Sequence, residues 1–176
     1  MSETKNILIT GQPGIGKTTL VRALVVRLMD LHPQGFYTQE MRERGMRVGF
    51  EIIGLDGRRG ILAHVKIRSP FRVGKYGVDV AGFESFLFDL SLTKPDSHVV
   101  IIDEIGRMEC YSNVFRNMVD EYLDSNRPFL ATISLKGDAY INGIKKRDDM
   151  KIHQVTRENR EELVGTIVSE ILQLLR

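Results

Sequence analysis

The sequence predicts an α/β fold in which a mainly parallel central sheet lies between two layers of helices. Three observations carry that expectation. An apolar run, Ile7-Leu8-Ile9, leads through a glycine-rich loop into helical periodicity. A second run, Val99-Val100-Ile101-Ile102, is unbroken and ends on Asp103-Glu104. A third, Phe129-Leu130-Ala131-Thr132-Ile133, follows a helical stretch that closes before Pro128. Short continuous apolar runs suit strands covered on both faces, the usual condition of a parallel sheet. A chain of 176 residues is long enough for one substantial core and short for two, so a single domain over residues 1–176 is expected.

After Lys17, the residues Leu20, Val21, Leu24, Val25, Leu28 and Met29 recur at helical spacing. Pro33 disfavours helix at His32, and Gly35 opens an extended segment whose β-prone part, Phe36-Tyr37-Thr38, ends at Glu40. Residues 47–53 partly alternate, Asp56-Gly57 marks a turn, and residues 60–65 follow as a second strand. This β-hairpin is expected as an elaboration on the sheet edge. Residues 68–79, with Gly74 and Gly77, have the composition of a loop. Helical spacing returns at Phe83, Phe86, Leu87 and Leu90, and again at Phe115, Met118, Val119, Tyr122 and Leu123, where Asn113 is placed to cap. Residues 135–149 show no clear periodicity and read as a helix-containing lid or a surface loop. Ile152 and Val155 suggest a short strand. Thr156 is placed to cap a last helix whose broad apolar face includes Leu163, Ile167, Ile171 and Leu175.

The loop itself reads Gly11-Gln12-Pro13-Gly14-Ile15-Gly16-Lys17-Thr18-Thr19, the spacing of a Walker A phosphate loop between strand and helix. Glycine lets successive backbone N–H groups turn inward, and the helix N-terminus adds unpaired donors and partial positive charge. Lys17 is expected to reach the β and γ phosphates of a nucleoside triphosphate, and the Thr18 hydroxyl to ligate magnesium. Asp103, at the carboxyl end of its apolar strand, is the matching Walker B aspartate for that metal. Glu104 favours hydrolysis over transfer, because a fixed carboxylate can orient a water and accept its proton. The plain alternative is that it caps a turn or pairs with Arg107. Arg107 is placed either to touch developing phosphate charge or to brace Glu104 or Glu109. Thr132 and Ser134 can sense the γ-phosphate or be satisfied strand-end hydroxyls. Glu40, Arg72, Lys75, Tyr76 and Arg147 are further candidates, with Tyr76 a possible stacking partner for a base and Arg147 a candidate finger; solvent exposure is the plain alternative.

Composition narrows the setting. Net charge is only +2 with signs mixed, so no polyanion-binding surface is implied. The basic groups Arg42, Arg44, Arg47 and Lys145, Lys146, Arg147 read as solvated faces. One cysteine, Cys110, excludes an internal disulfide and fits a reducing compartment. No signal-like or membrane-spanning apolar stretch is present, and the four histidines lack metal-ligand spacing. A cytoplasmic monomer is expected, without an obligate protein partner, nucleic acid or membrane. No Asn-Lys-x-Asp guanine motif occurs.

Taken together the motifs resemble the thermophile-type, or cancer-related, nucleoside-triphosphatase family. The resemblance spans nearly the whole chain: residues 11–19, Gly35-Phe36-Tyr37-Thr38-Gln39-Glu40, Arg47-Val48-Gly49-Phe50, Gly74-Lys75-Tyr76, and Asp103-Glu104-Ile105-Gly106-Arg107-Met108-Glu109. It implies a phosphate-loop fold of the catalytic-glutamate branch, with the strand at residues 129–133 between the Walker A and Walker B strands. It also implies magnesium-dependent hydrolysis of nucleoside triphosphates with broad base tolerance. Carried over by position, Lys17, Thr18, Asp103 and Glu104 form the site, joined by Lys75, Tyr76 and Arg107. Ser134-Leu135-Lys136-Gly137 is less basic than the family pattern, leaving residues 145–147 as substitutes for a finger there.

Overall fold

The computed structural model describes residues 4–90 and 97–176; residues 1–3 of the N-terminal stretch lie outside that range. The first apolar run becomes β1 (Asn6–Thr10), and the glycine loop feeds α1 (Lys17–Arg27). An antiparallel excursion follows through β2 (Gln34–Glu43), β3 (Met46–Gly54), β4 (Arg59–His64), β5 (Arg72–Val73) and β6 (Tyr76–Val78). The chain then alternates: α2 (Val80–Leu90), β7 (Val100–Ile105), α3 (Asn113–Asp124), β8 (Phe129–Ile133), α4 (Ala139–Lys145), β9 (Met150–Gln154) and α5 (Arg160–Leu174).

All nine strands among the described residues join one sheet in the order β5-β6-β4-β3-β2-β7-β8-β1-β9. From β2 to β9 every pairing is parallel, and from β2 to β5 every pairing is antiparallel. β8 therefore lies between the strand of the glycine loop and the strand of Asp103, as expected. Strand alternation divides the core between the two faces. Ile7 and Ile9 of β1 pack with Leu20, Leu24 and the α5 residues Ile167 and Ile171. Leu8 faces the opposite way, into a cluster with Phe36, Phe83, Phe115 and Ile141. Helices thus cover both sides, giving the three layers. No helix among the described residues is long and apolar enough to cross a membrane.

The elaboration is larger than a hairpin on an edge. β2 does not end at Glu40 but continues to Glu43, because its polar half is zipped to β3 with Glu40 opposite Phe50. A ladder satisfies backbone groups whatever the side chains carry, so polarity gave a false stop. Arg44 and Gly45 turn the corner at φ 49° and 80°, the paired positive values of a type I′ hairpin. The expected loop over residues 68–79 contains the small β5–β6 hairpin, turned at Gly74 with φ 57°.

Helix ends shift by a residue or more from their expected caps. Ser112, not Asn113, caps α3: its hydroxyl accepts from the Phe115 amide at 3.0 Å. Thr156 stands outside α5, where its N–H donates to Asn159 Oδ1 at 2.8 Å and Asn159 is the boundary residue. Met29 falls beyond α1 in a short 3-10 turn and is 58% exposed, and Leu175 likewise lies past α5. Cys110 is buried and free.

The β1–β9 edge is closed at its amino end by Asp149. Asn6 Nδ2 donates to one carboxylate oxygen at 3.0 Å, and Arg147 donates to both oxygens at 2.9 Å. Arg147 also reaches Asp124 at 2.7 Å, so its guanidinium is engaged at the end of the sheet opposite the glycine loop. Hydrogen bonding from Arg147 holds the Asp149 carboxyl below its ordinary value of 3.8. The unfolded chain protonates near that value, so this stabilisation is complete above it and is lost as pH falls through the lower folded value. Asp149→Asn is expected to destabilise the fold by about 1–3 kcal/mol at neutral pH. In urea titrations the gap to the parent chain should narrow as acid protonates the parent's own carboxylate.

Gly35 offers a second check. Its φ is +132°, and a Cβ there would sit 1.7 Å from the Ile101 carbonyl oxygen of the neighbouring strand. Gly35→Ala should part β2 from β7, with a stability loss above about 3 kcal/mol by denaturant unfolding.

Candidate active site

The carboxyl ends of the parallel strands converge on the glycine loop. Gly14 and Gly16 adopt φ 76° and 103°, and Gly16 is the left-handed residue on which α1 starts. Lys17 begins that helix with its side chain folded back: the ammonium donates to the carbonyls of Gly11 at 3.0 Å and Gln12 at 3.3 Å. Arg160 of α5 buttresses the loop from behind, its guanidinium 2.8 Å from where a Cβ on Gly16 would stand.

Asp103 sits at the centre. It is 1% exposed and accepts from Thr18 Oγ1 at 2.7 Å and from Thr132 Oγ1 at 2.5 Å. Burial pushes its carboxyl up, and the Thr132 and Thr18 hydroxyls partly offset this. Glu104 is half-buried and accepts from Ser134 Oγ at 2.6 Å. Both acids stand where the β7–β8 register shifts between Ile102 and Ile105, and the peptide bond between them is cis. Thr132 and Ser134 are therefore satisfied strand-end hydroxyls that each fix one acid, rather than free donors.

A third carboxyl completes the cluster. Glu109 is 5% exposed and is held well above the ordinary carboxylate range by burial, with the nearby Glu104 charge adding to the effect. Gly106 makes the convergence possible. A Cβ there would lie 2.9 Å from Glu109 Oε2, 3.0 Å from Glu104 Oε1 and 3.2 Å from Ser134 Oγ. Arg107 is exposed on the same cavity and forms no ion pair with Glu104 or Glu109 among the described residues.

Lys17, Thr18, Glu104, Gly106, Arg107, Glu109 and Ser134 open onto one cavity of about 770 Å³, within the range of small-molecule sites, roughly 300–1,000 Å³; Asp103 and Thr132 are buried and do not line it. Gly11, Gln12, Pro13 and Gly14 line it with Gly16, Lys17, Thr18 and Thr19; Ile15 instead packs into the apolar core. Lys75 and Tyr76 do not line it. The Tyr76 ring is 7% exposed, packs edge-on to Phe50 at 5.2 Å, and accepts through its hydroxyl from Arg47 Nε at 3.0 Å. Lys75 lies over that ring at 5.5 Å. Arg72 bonds the Lys75 carbonyl within the same hairpin. Glu40 does line the cavity, paired to Arg42 at 2.7 Å and Arg47 at 2.8 Å; those hydrogen bonds, Arg47's first, hold its carboxyl low.

The donor set suits magnesium. Thr18 Oγ1 and the Asp103 carboxylate offer only oxygen donors, 2.7 Å apart at a phosphate loop, and Mg²⁺ favours one or two protein oxygens completed by phosphate and water. Ser134, Thr132 and Glu109 enter the site through geometry. Arg47 and Phe50, quoted above only as part of a resemblance, and Leu62, which no motif marked, enter the cavity wall through antiparallel pairing.

A family model described as NTPase matches residues 6–168. A nucleoside-triphosphatase THEP1 from Thermotoga sp. (strain RQ2) is 45% identical over 93% of both chains. The cancer-related nucleoside-triphosphatase of Homo sapiens is 36% identical over 94% of this chain and 95% of its own. Among solved structures, THEP1 from the hyperthermophile Aquifex aeolicus superposes with a TM-score of 0.82 at 34% identity, covering 94% of this chain and 98% of its own. A phosphate loop, an acid pair at the end of β7, an intervening β8 and full-length similarity converge, and the chain belongs to the NTPase family of nucleoside-triphosphatases.

Proposed function

We propose that this chain is a magnesium-dependent nucleoside-triphosphate phosphohydrolase with broad base tolerance, using a water oriented by Glu104. The observation that carries the reading is the Glu104 carboxylate, fixed by Ser134 Oγ at 2.6 Å and facing the cavity shared with Lys17 and Thr18. The inward N–H groups of residues 14–19 bind the β and γ phosphates, and Lys17 exchanges its two loop carbonyls for phosphate oxygens. Thr18 and Asp103 would hold Mg²⁺, which when bound offsets phosphate charge. Glu104 accepts a proton from water as the water oxygen bonds to Pγ; the bond from Pγ to the bridging oxygen breaks, and nucleoside diphosphate leaves. Arg107 lends positive charge at the cavity rim.

The names of the Thermotoga and human relatives support triphosphatase chemistry. Broad base tolerance is what membership of the family implies, and the lack of an Asn-Lys-x-Asp motif argues only against a guanine-selective switch. The near-balanced net charge of +2 supports a protein that acts without nucleic acid, and the same reading takes it as a cytoplasmic monomer without a membrane or obligate protein partner.

Purified protein with magnesium should release phosphate from ATP, GTP, CTP and UTP without an added acceptor. No release above a Lys17→Ala control, together with phosphate transfer to an added nucleotide, would replace hydrolysis by kinase chemistry. A slow basal rate greatly accelerated by a partner would point to a switch. Glu104→Gln should keep nucleotide binding while kcat falls about 10²–10⁴-fold.

Ser134→Ala removes only the hydroxyl that fixes Glu104. Its kcat should fall by roughly tenfold to 150-fold, the kinetic equivalent of one hydrogen bond to a charged group worth about 1.5–3 kcal/mol, with KM little changed. An unchanged kcat would show that Glu104 needs no such anchor.

A further inference from the structure

The cavity extends well beyond its hydrolytic end. One wall is the glycine loop that follows β1; the opposite wall is made by Arg47 and Phe50 of β3, Leu62 of β4 and Val73 of β5. In the sheet order, β8, β7, β2 and β3 separate β1 from β4. The antiparallel half curls back over the segment that follows β7, where the Tyr111 hydroxyl donates to the Arg72 carbonyl of β5 at 2.8 Å, and so brings this second wall to face the loop across the shared cavity. Glu104, at the end of β7, stands between the two walls.

That position fixes a direction, and this step rests on the hydrolase reading above. The γ-phosphate must face Glu104, so the remainder of the nucleotide leads away from β2, β3 and β4. The far compartment then lies on the side from which water attacks, and any ligand in it is a second molecule.

Its chemistry is specific. Arg47 is held by two bonds, Nε to the Tyr76 hydroxyl at 3.0 Å and Nη1 to Glu40 at 2.8 Å. Nη2 makes no hydrogen bond among the described residues, and the side chain is 44% exposed. The guanidinium lies 5.3 Å from the Phe50 ring centroid and 5.7 Å from that of Tyr76, which pre-orients it. Glu40 is shared with Arg42, so the cluster keeps one excess positive charge. Phe50, Leu62 and Val73 supply an apolar floor beside it. A fixed guanidinium with a spare N–H recognises carboxylate or phosphate oxygens, and the floor accepts an aromatic or aliphatic body.

We propose that this compartment is a second binding subsite, which takes a small anionic ligand with an apolar body onto Arg47 while nucleotide occupies the phosphate loop. The probe is phenyl phosphate, titrated calorimetrically into the Glu104→Gln chain saturated with ATP and magnesium; benzyl alcohol and orthophosphate serve as its uncharged and bodiless counterparts. Phenyl phosphate should bind the nucleotide-loaded chain at least tenfold more tightly than either counterpart. Arg47→Met should weaken it at least tenfold. Val73→Trp, which fills the apolar end opposite Tyr76 in the ladder and keeps every side chain of the Glu40–Arg47–Tyr76 cluster, should weaken it as well and guards against a folding defect in the first variant. Absence of binding, competition between phenyl phosphate and ATP for one site, or an affinity that neither substitution changes would overturn the subsite. Failure of the parent chain to hydrolyse ATP would overturn the function reading instead, since the titration needs bound nucleotide and no turnover.

Discussion

Asp103 is the point at which the architecture is tied together. A carboxylate with 1% of its surface exposed is costly to bury unless fixed donors replace the water it loses. Thr18 brings one hydroxyl from the start of α1, and Thr132 brings the other from β8. Three elements must therefore arrive in register before the acid is satisfied. The same requirement places the glycine loop beside the end of β7, which is where a triphosphate needs it. Stability and site geometry share these two hydrogen bonds.

The second constraint lies at the seam between the halves of the sheet. β2 is parallel to β7 on one side and antiparallel to β3 on the other. At Gly35 the two strands approach so closely that no side chain fits against the Ile101 carbonyl. The parallel half aims its carboxyl ends at the loop, as open α/β sheets do. The antiparallel half, continuing past the seam, raises Arg47, Phe50 and Leu62 into a wall facing that site. One chain thus supplies both the phosphate cradle and the enclosure around it.

The parallel half was legible because its signals are local. Continuous apolar runs marked β1, β7 and β8, and residues 11–19 with Asp103-Glu104 carry their chemistry in adjacent positions. The antiparallel half was less so. β2 runs through Met41-Arg42-Glu43, polar residues whose strand state depends on a partner ladder rather than on their own pattern. Tyr76 illustrates the same limit within the site. Its glycine-rich neighbourhood suggested an exposed ring, yet Phe50 and Arg47, distant in sequence, close over it. Glu109 and Ser134 were visible as residues but not as neighbours of Glu104, because Gly106 brings them together only by lacking a side chain.

Burial distinguishes the three acids of the site more sharply than their spacing does. Asp103 is enclosed, and both its oxygens are engaged by threonine hydroxyls, which suits a metal-holding group and bars it from meeting bulk water. Glu109 is enclosed with no hydroxyl or cation holding it among the described residues, and burial favours its neutral form. A neutral acid at that place adds little repulsion to its neighbours while filling the space beneath them. Glu104 is half-buried: one oxygen is anchored by Ser134, and the carboxylate faces the cavity. Of the three, it combines a fixed position with access to water, and that combination is what an attacking water requires of its base.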